Sequence, residues 1–298
     1  MSKPIESQET YLDVINQIDV HYAKMRAARP LSRSGVKYFI NEFAISTTHS
    51  SNAIEGNTFT FDETKLLLEK GIAIGAHTFR ENQDIVGYKK GFDFLYDSLK
   101  NNREIDEDFI KKIHSYVLLG DDEAGSYRTV QNYVGNLARI VYTPCSAQEV
   151  PQNMQNYVAM VKDDLVGAIF EMNNDKIDWT SVFRTLAEHH IQFENIHPFI
   201  DGNGRTGRLL LTYEMIMLGL LPVDIRYEER ERYYAAIAAY RDKEKYSTRA
   251  ESKTDKMAKL LAECELKSLR LWNKTFNNYI DQAPSDVKNM AETDVQND

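Results

Sequence analysis

An all-α fold is predicted by three observations. Apolar residues recur at alternating intervals of three and four along most of the chain, capping signals precede several of these stretches, and one short segment alone is β-branched without that period. Tyr11, Ile15, Ile18, Tyr22 and Met25 form the first stripe, which Pro30 ends. Thr60 and Glu63 have the spacing of a capping box and open a helix through Leu66, Leu67 and Leu68. Ile85, Tyr88, Phe92, Leu95 and Leu99 repeat the stripe, and Asp106 precedes a helix bearing Phe109, Ile113 and Val117. Further helices are expected over Pro151–Glu171, Asp178–Asn195, Gly204–Leu218, Glu229–Lys243 and Lys253–Asn273. The exception is Leu137, Ala138, Arg139, Ile140, Val141, Tyr142 and Thr143, closed by Pro144, which predicts an extended segment or short hairpin.

No repeat or low-complexity linker divides the chain. A loosely two-part helical body is expected, with an N-terminal helical region at 1–75, a core at 76–250 and a C-terminal helix and tail at 251–298. Within that last stretch Asp281–Asp298 holds five acids against Lys288 alone, too little apolar surface to repay the entropy of ordering, and predicts a mobile tail.

The 298 residues are 42% hydrophobic and 11% aromatic, enough to bury a core. Their net charge of −9 supplies no global positive field, so neither nucleic acid nor an acidic membrane surface is an expected partner. Cys145 and Cys264 alone make no disulfide framework, and with no signal peptide or membrane-spanning run the expected location is cytoplasmic.

The chemistry concentrates in the run His197-Pro198-Phe199-Ile200-Asp201-Gly202-Asn203-Gly204-Arg205-Thr206-Gly207-Arg208. Gly202 and Gly204 flank a turn into a helix whose first N–H groups can converge on an anion, helped by the helix dipole. Arg205 and Arg208, three apart on that first turn, are spaced to address neighbouring phosphates. Arginines there oppose the dipole, which points to an anion that compensates them. Asp201 offers a hard oxygen ligand of the kind magnesium takes together with substrate phosphates. His197 titrates in the range suited to a general base for a hydroxyl nucleophile.

This run resembles, position for position, the Fic signature His-x-Phe-x-Asp/Glu-Gly-Asn-Gly-Arg-x-x-Arg. Ala187, His190, Phe193 and Ile196 resemble the family's helix leading into it, and Gly125-Ser126-Tyr127-Arg128 an element before its flap. The resemblance implies a Fic-type helical fold with a short β-hairpin flap, and transfer of AMP from ATP to a Ser, Thr or Tyr hydroxyl of a protein substrate or of the chain itself. It implies His197 as base, Asp201 as ligand of Mg²⁺ or Mn²⁺, Asn203 on the α-phosphate, and Gly202, Gly204 and Gly207 within the phosphate site. Arg205 and Arg208 would neutralise the β- and γ-phosphates. The segment Leu137–Thr143 would be the flap that docks a target by strand addition, and Tyr233 or Tyr234 would line the adenine pocket.

Upstream, Ser51-Asn52-Ala53-Ile54-Glu55-Gly56-Asn57 resembles the family's inhibitory motif in the class whose inhibitory helix precedes the catalytic core. Ser51, Glu55 and Gly56 would form a brake in which Glu55 engages Arg208. The resemblance further implies a homodimer that tunes the brake, and an enzyme able to remove AMP as well. Other readings stay open. Relatives on this scaffold transfer phosphate or phosphocholine. The set His189, His190, His197 and Asp201 could hold zinc in a metal-dependent hydrolase, and the cradle could belong to an inactive nucleotide-binding module. His189 is expected at the surface, and His114 and His190 in packing roles.

Overall fold

The apolar stripes become helices where their spacing places them. The computed structural model describes residues 9–27, 33–136, 139–173, 177–241 and 253–282. Among these are ten α-helices: α1 (Tyr11–Ala27), α2 (Arg33–Ile54), α3 (Phe61–Lys70), α4 (Phe79–Lys100), α5 (Glu107–Val117), α6 (Val150–Met172), α7 (Trp179–Ile196), α8 (Asn203–Met217), α9 (Arg230–Arg241) and α10 (Asp255–Gln282). The Thr60–Glu63 capping box opens α3, and Asp106 caps α5 through the Phe109 N–H. Phe109, Ile110, Ile113 and Val117 bury one face of α5, each contributing about 1.5–3 kcal/mol of transfer free energy.

The helices α7 and α8, joined by residues 197–202, form the centre. The first is flanked by α6 and α10, the second by α4 and α5, while α2 lies along α4 and reaches α8. Both central helices are buried over most of their length, so the turn between them is fixed from below. Among the described residues no helix is long and apolar enough to cross a membrane.

Three expectations need correction. The strand β2 (Arg139–Tyr142) pairs antiparallel with β1 (Val134–Asn136), a partner upstream of the predicted segment. Their register is Val134↔Tyr142, Gly135↔Ile140 and Asn136↔Arg139, with a bulge after Val134. Leu137 and Ala138 lie outside the described residues. The last helix continues to Gln282, past the expected end at Asn273, so Asp281 is helical; of the expected tail, 283–298 lies outside the described residues. Finally, His189 is fully buried: Nδ1 meets Glu214 Oε2 at 2.6 Å and Nε2 meets Asp164 Oδ2 at 3.0 Å. Burial alone would lower its pKa, but the two carboxylates raise it to about 9, so a charged imidazole ties α6, α7 and α8 together.

Candidate active site

The α7–α8 turn is held by groups around it. His197 ends α7 in the left-handed region (φ 51°, ψ 60°), with its N–H donating to Phe193 O at 3.0 Å. A non-glycine residue there costs on the order of 1–2 kcal/mol. Arg128 secures the conformation: Nε donates to His197 O at 2.8 Å, Nη2 to Cys145 O at 2.6 Å, and its backbone N–H to Pro198 O at 2.9 Å. His114 stacks on Phe199 (centroids 3.6 Å apart), accepts the Gly125 N–H at Nδ1, and therefore donates from Nε2 to Asp201 O at 3.0 Å. Gly202 takes φ 73°, and a Cβ there would meet Val117 and Leu118 at 3.1–3.2 Å, so the turn needs glycine for conformation and for space.

These supports shape a cavity of about 590 Å³. Asp201, Gly202, Asn203, Gly204 and Arg208 line one end, with His197 beside them, and Tyr233, Tyr234, Ile237, Ala238 and Arg241 of α9 line the rest. Val134, Gly135 and Val141 of the ribbon form part of the rim, while Ile140 and Val141 are exposed. Tyr142 lies under the Arg241 guanidinium at 3.6 Å and donates to Asn195 O at 3.1 Å, and Thr143 is exposed beyond the strand. Burial lowers the His197 pKa to about 4, with the Glu194 carbonyl opposing, so the ring is neutral at neutral pH; its Nδ1 is buried without a hydrogen-bond partner.

The run is not used uniformly. Asn203 is buried and spends its side-chain amide on the turn, accepting the Phe199 N–H at 2.9 Å and donating to Phe199 O at 2.8 Å. Arg205 does not line the cavity; it pairs with Asp84 at 2.5 Å and reaches Asp201 at 3.4 Å. Gly207 faces Glu194, Phe193 and His190, where it lets α8 approach α7 closely. Arg208 is buried, with Nε donating to Ser51 Oγ at 2.8 Å and Nη2 to Ser51 O at 3.0 Å and Glu55 Oε1 at 2.7 Å. A Cβ on Gly204 would collide with Glu55 Oε1, so that carboxylate lies directly over the first turn of α8. Gly56 follows with φ 91° and turns the chain out of α2. Tyr233 is buried and its hydroxyl meets His190 Nε2 at 2.7 Å, whereas Tyr234 is half exposed at the cavity wall.

The histidine set considered for zinc is split, with His189 turned to Glu214 and Asp164 and His190 to Tyr233. Among the described residues no group of three or more His, Cys, Asp or Glu is placed to hold a metal ion. A single carboxylate sharing a metal with substrate phosphates is a different case, and Asp201 suits it. Its side chain is 63% exposed at the phosphate end, with Oδ1 accepting the Gly202 N–H and Oδ2 3.4 Å from both Arg80 and Arg205.

Residues 104–215 match the Fic/DOC family profile. The protein adenylyltransferase fic-1 of Caenorhabditis elegans is 36% identical over 189 residues, covering 62% of this chain and 34% of the relative. That of Caenorhabditis briggsae is 32% identical over 222 residues, covering 73% and 41%. The chain thus spans about two fifths or less of the length of these relatives. A Fic-domain-containing signaling protein from Bacteroides thetaiotaomicron superposes with a TM-score of 0.74 at 25% identity, covering 88% of this chain and 97% of that one. Fic-1 (aa134–508) of C. elegans does so with a TM-score of 0.69 at 26% identity, covering 89% and 73%. The chain carries a Fic domain in a Fic-type fold.

Proposed function

We propose that this Fic-domain chain is a protein adenylyltransferase that moves AMP from ATP to a protein hydroxyl, on a substrate protein or on itself, and that Glu55 holds it inhibited. The observation carrying this reading is that one cavity brings together a neutral imidazole, a helix N-terminus flanked by two glycines, an exposed carboxylate and a buried arginine. The names of the relatives agree with it. The hydroxyl proton passes to His197 and the oxygen attacks the α-phosphorus. An O–P bond forms, the bond to the β-phosphate oxygen breaks, and pyrophosphate leaves. The α8 N–H groups around Gly202–Gly204 and the Arg208 guanidinium stabilise the charge that shifts onto the phosphate oxygens. Asp201 would hold Mg²⁺ or Mn²⁺, which supplies further neutralisation of the phosphates.

Arg205 would support this assembly through Asp84 and Asp201, while Tyr234, Ile237 and Ala238 of the cavity wall would receive the adenine. The ribbon would align a target strand along β2, Arg139–Tyr142. Exposed Ile72 and Ile74 between α3 and α4, with exposed Phe79 at the start of α4, would offer apolar side chains to a second copy in a homodimer. Glu55, next to the cradle, would also orient water for removal of AMP from a modified protein.

Label retention tests the reaction. With Mg²⁺, ATP labelled at the α-phosphorus should label protein and ATP labelled at the γ-phosphorus should not; the reverse pattern would establish phosphate transfer and overturn the reading. Release of AMP from pre-modified protein, slowed by Glu55→Gly, tests the reverse activity, and unchanged release would contradict a role for Glu55 in it.

A further inference from the structure

Glu194 is an ionisable group of the cavity to which the proposed chemistry gives no task. It stands on the last turn of α7, three residues before His197, lines the cavity and is 7% exposed. Its Oε1 is buried without a hydrogen-bond partner, so near Gly207 that an added Cβ would come within 2.6 Å. A carboxylate with an unmade hydrogen bond in such a place is costly as an anion and much less so as an acid.

The groups facing it come from every neighbouring element. They are Glu55 just past the end of α2, Tyr157 of α6, His190 of α7 and His197 at its end, Arg208 of α8, and Tyr233, Tyr234 and Arg241 of α9. Burial lifts the Glu194 pKa to about 7, with Arg208 opposing, Glu55 adding and Arg241 opposing. Burial also lowers His190 to about 3 and His197 to about 4 and raises the three tyrosines, so these groups stay neutral where Glu194 changes charge.

We propose that Glu194 is a nucleotide-binding residue that works as a neutral acid: entry of ATP is accompanied by uptake of a proton from solvent onto Glu194, whose O–H then donates to the nucleotide. The inference rests on the transferase reading, which makes a polyanion the occupant of this cavity. A polyanion beside Glu194 disfavours its ionised form, so the nucleotide-bound state retains the proton to higher pH than the empty state. By linkage, affinity is full below the empty-state pKa and declines as pH rises through it, by up to about tenfold between about pH 6 and about pH 8.

Calorimetric titration of ATP with Mg²⁺ into Glu55→Gly and Glu55→Gly/Glu194→Gln, in buffers of different ionisation enthalpy, tests this. Glutamine keeps an acceptor and a donor but cannot titrate. The ionisation of ATP itself is common to both proteins, so their difference isolates Glu194. The single variant should take up a larger fraction of a proton and lose affinity more steeply with pH, while the double variant binds as the protonated form does. Glu194→Leu in the same background should bind about tenfold more weakly at about pH 6, with its melting temperature checking that the fold is kept. Equal proton uptake and equal pH slopes would overturn the inference while leaving the transferase reading intact. Failure of ATP to bind the single variant would overturn both.

Discussion

The contact between Arg208 and Glu55 sets a measurable competition. Arg208 is buried and makes three hydrogen bonds to α2 and its end, two to Ser51 and one to Glu55 at 2.7 Å. A hydrogen bond to a charged group contributes about 1.5–3 kcal/mol, and the 36% exposure of the Glu55 side chain discounts this to about 1–2 kcal/mol. An incoming phosphate must displace that carboxylate from both Arg208 and the face of Gly204. Glu55→Gly therefore releases the same free energy to the nucleotide, and ATP should bind about 5–30-fold more tightly. The fold should lose the contact, lowering the melting temperature by roughly 2–6 °C. Glu55→Gln, which keeps the volume but not the charge, should fall between. Calorimetric binding and thermal denaturation of the three proteins read the two halves separately. Unchanged affinity together with an unchanged melting temperature would refute the reasoning, because the pair would then carry no free energy in the empty protein.

Other consequences follow from buried charges and from the carboxylate proposed to hold a metal. His189 has a folded-state pKa raised to about 9, so its contribution is complete below about 6.5 and is lost as pH rises toward 9; Glu214→Gln should flatten that decline in a denaturation series and lower stability by about 2–4 kcal/mol at neutral pH. Glu265 is buried on α10, where Oε1 accepts the Leu221 N–H, Oε2 has no partner and burial raises the pKa to about 8. Its protonated form is the favoured one in the fold, so stability falls as pH rises between about 4.5 and 8, and Glu265→Gln should stabilise the protein by about 1–3 kcal/mol near the upper end. On the proposed function, Asp201→Asn should reduce ATP turnover about 10–100-fold and weaken its dependence on Mg²⁺ while leaving the melting temperature within a few degrees, and a chelator should likewise lower the turnover of the parent protein.

The helices that bury a single apolar stripe were legible because periodicity and packing coincide, as in α1, α4 and α5. The helix α2 was not, except through the resemblance around Glu55, because polar residues fill much of its buried face. Thr47, Thr48, Ser50, Ser51 and Asn52 are all buried, and the Thr48 hydroxyl and Asn52 side-chain N–H donate to carbonyls one turn back. His189 escaped because its partners Glu214 and Asp164 sit 25 residues away on other helices. The strand β1 contains Gly135 and is three residues long, too short for an alternation to show. At the site, spacing placed Arg205 and Arg208 on one turn but could not separate their tasks, since Asp84, which draws Arg205 aside, comes from α4. Glu194 carried no signal beyond its place three residues before His197; its meaning arises from Gly207 and the cavity wall across from it.

Intact mass of Glu55→Gly and Glu55→Gly/His197→Ala after incubation with ATP and Mg²⁺ tests the central claim most directly. A buried, neutral imidazole acting as the base predicts that the first protein gains whole AMP units and the second gains none although it still binds ATP. Equal modification of the two, or a gain corresponding to phosphate, would contradict it.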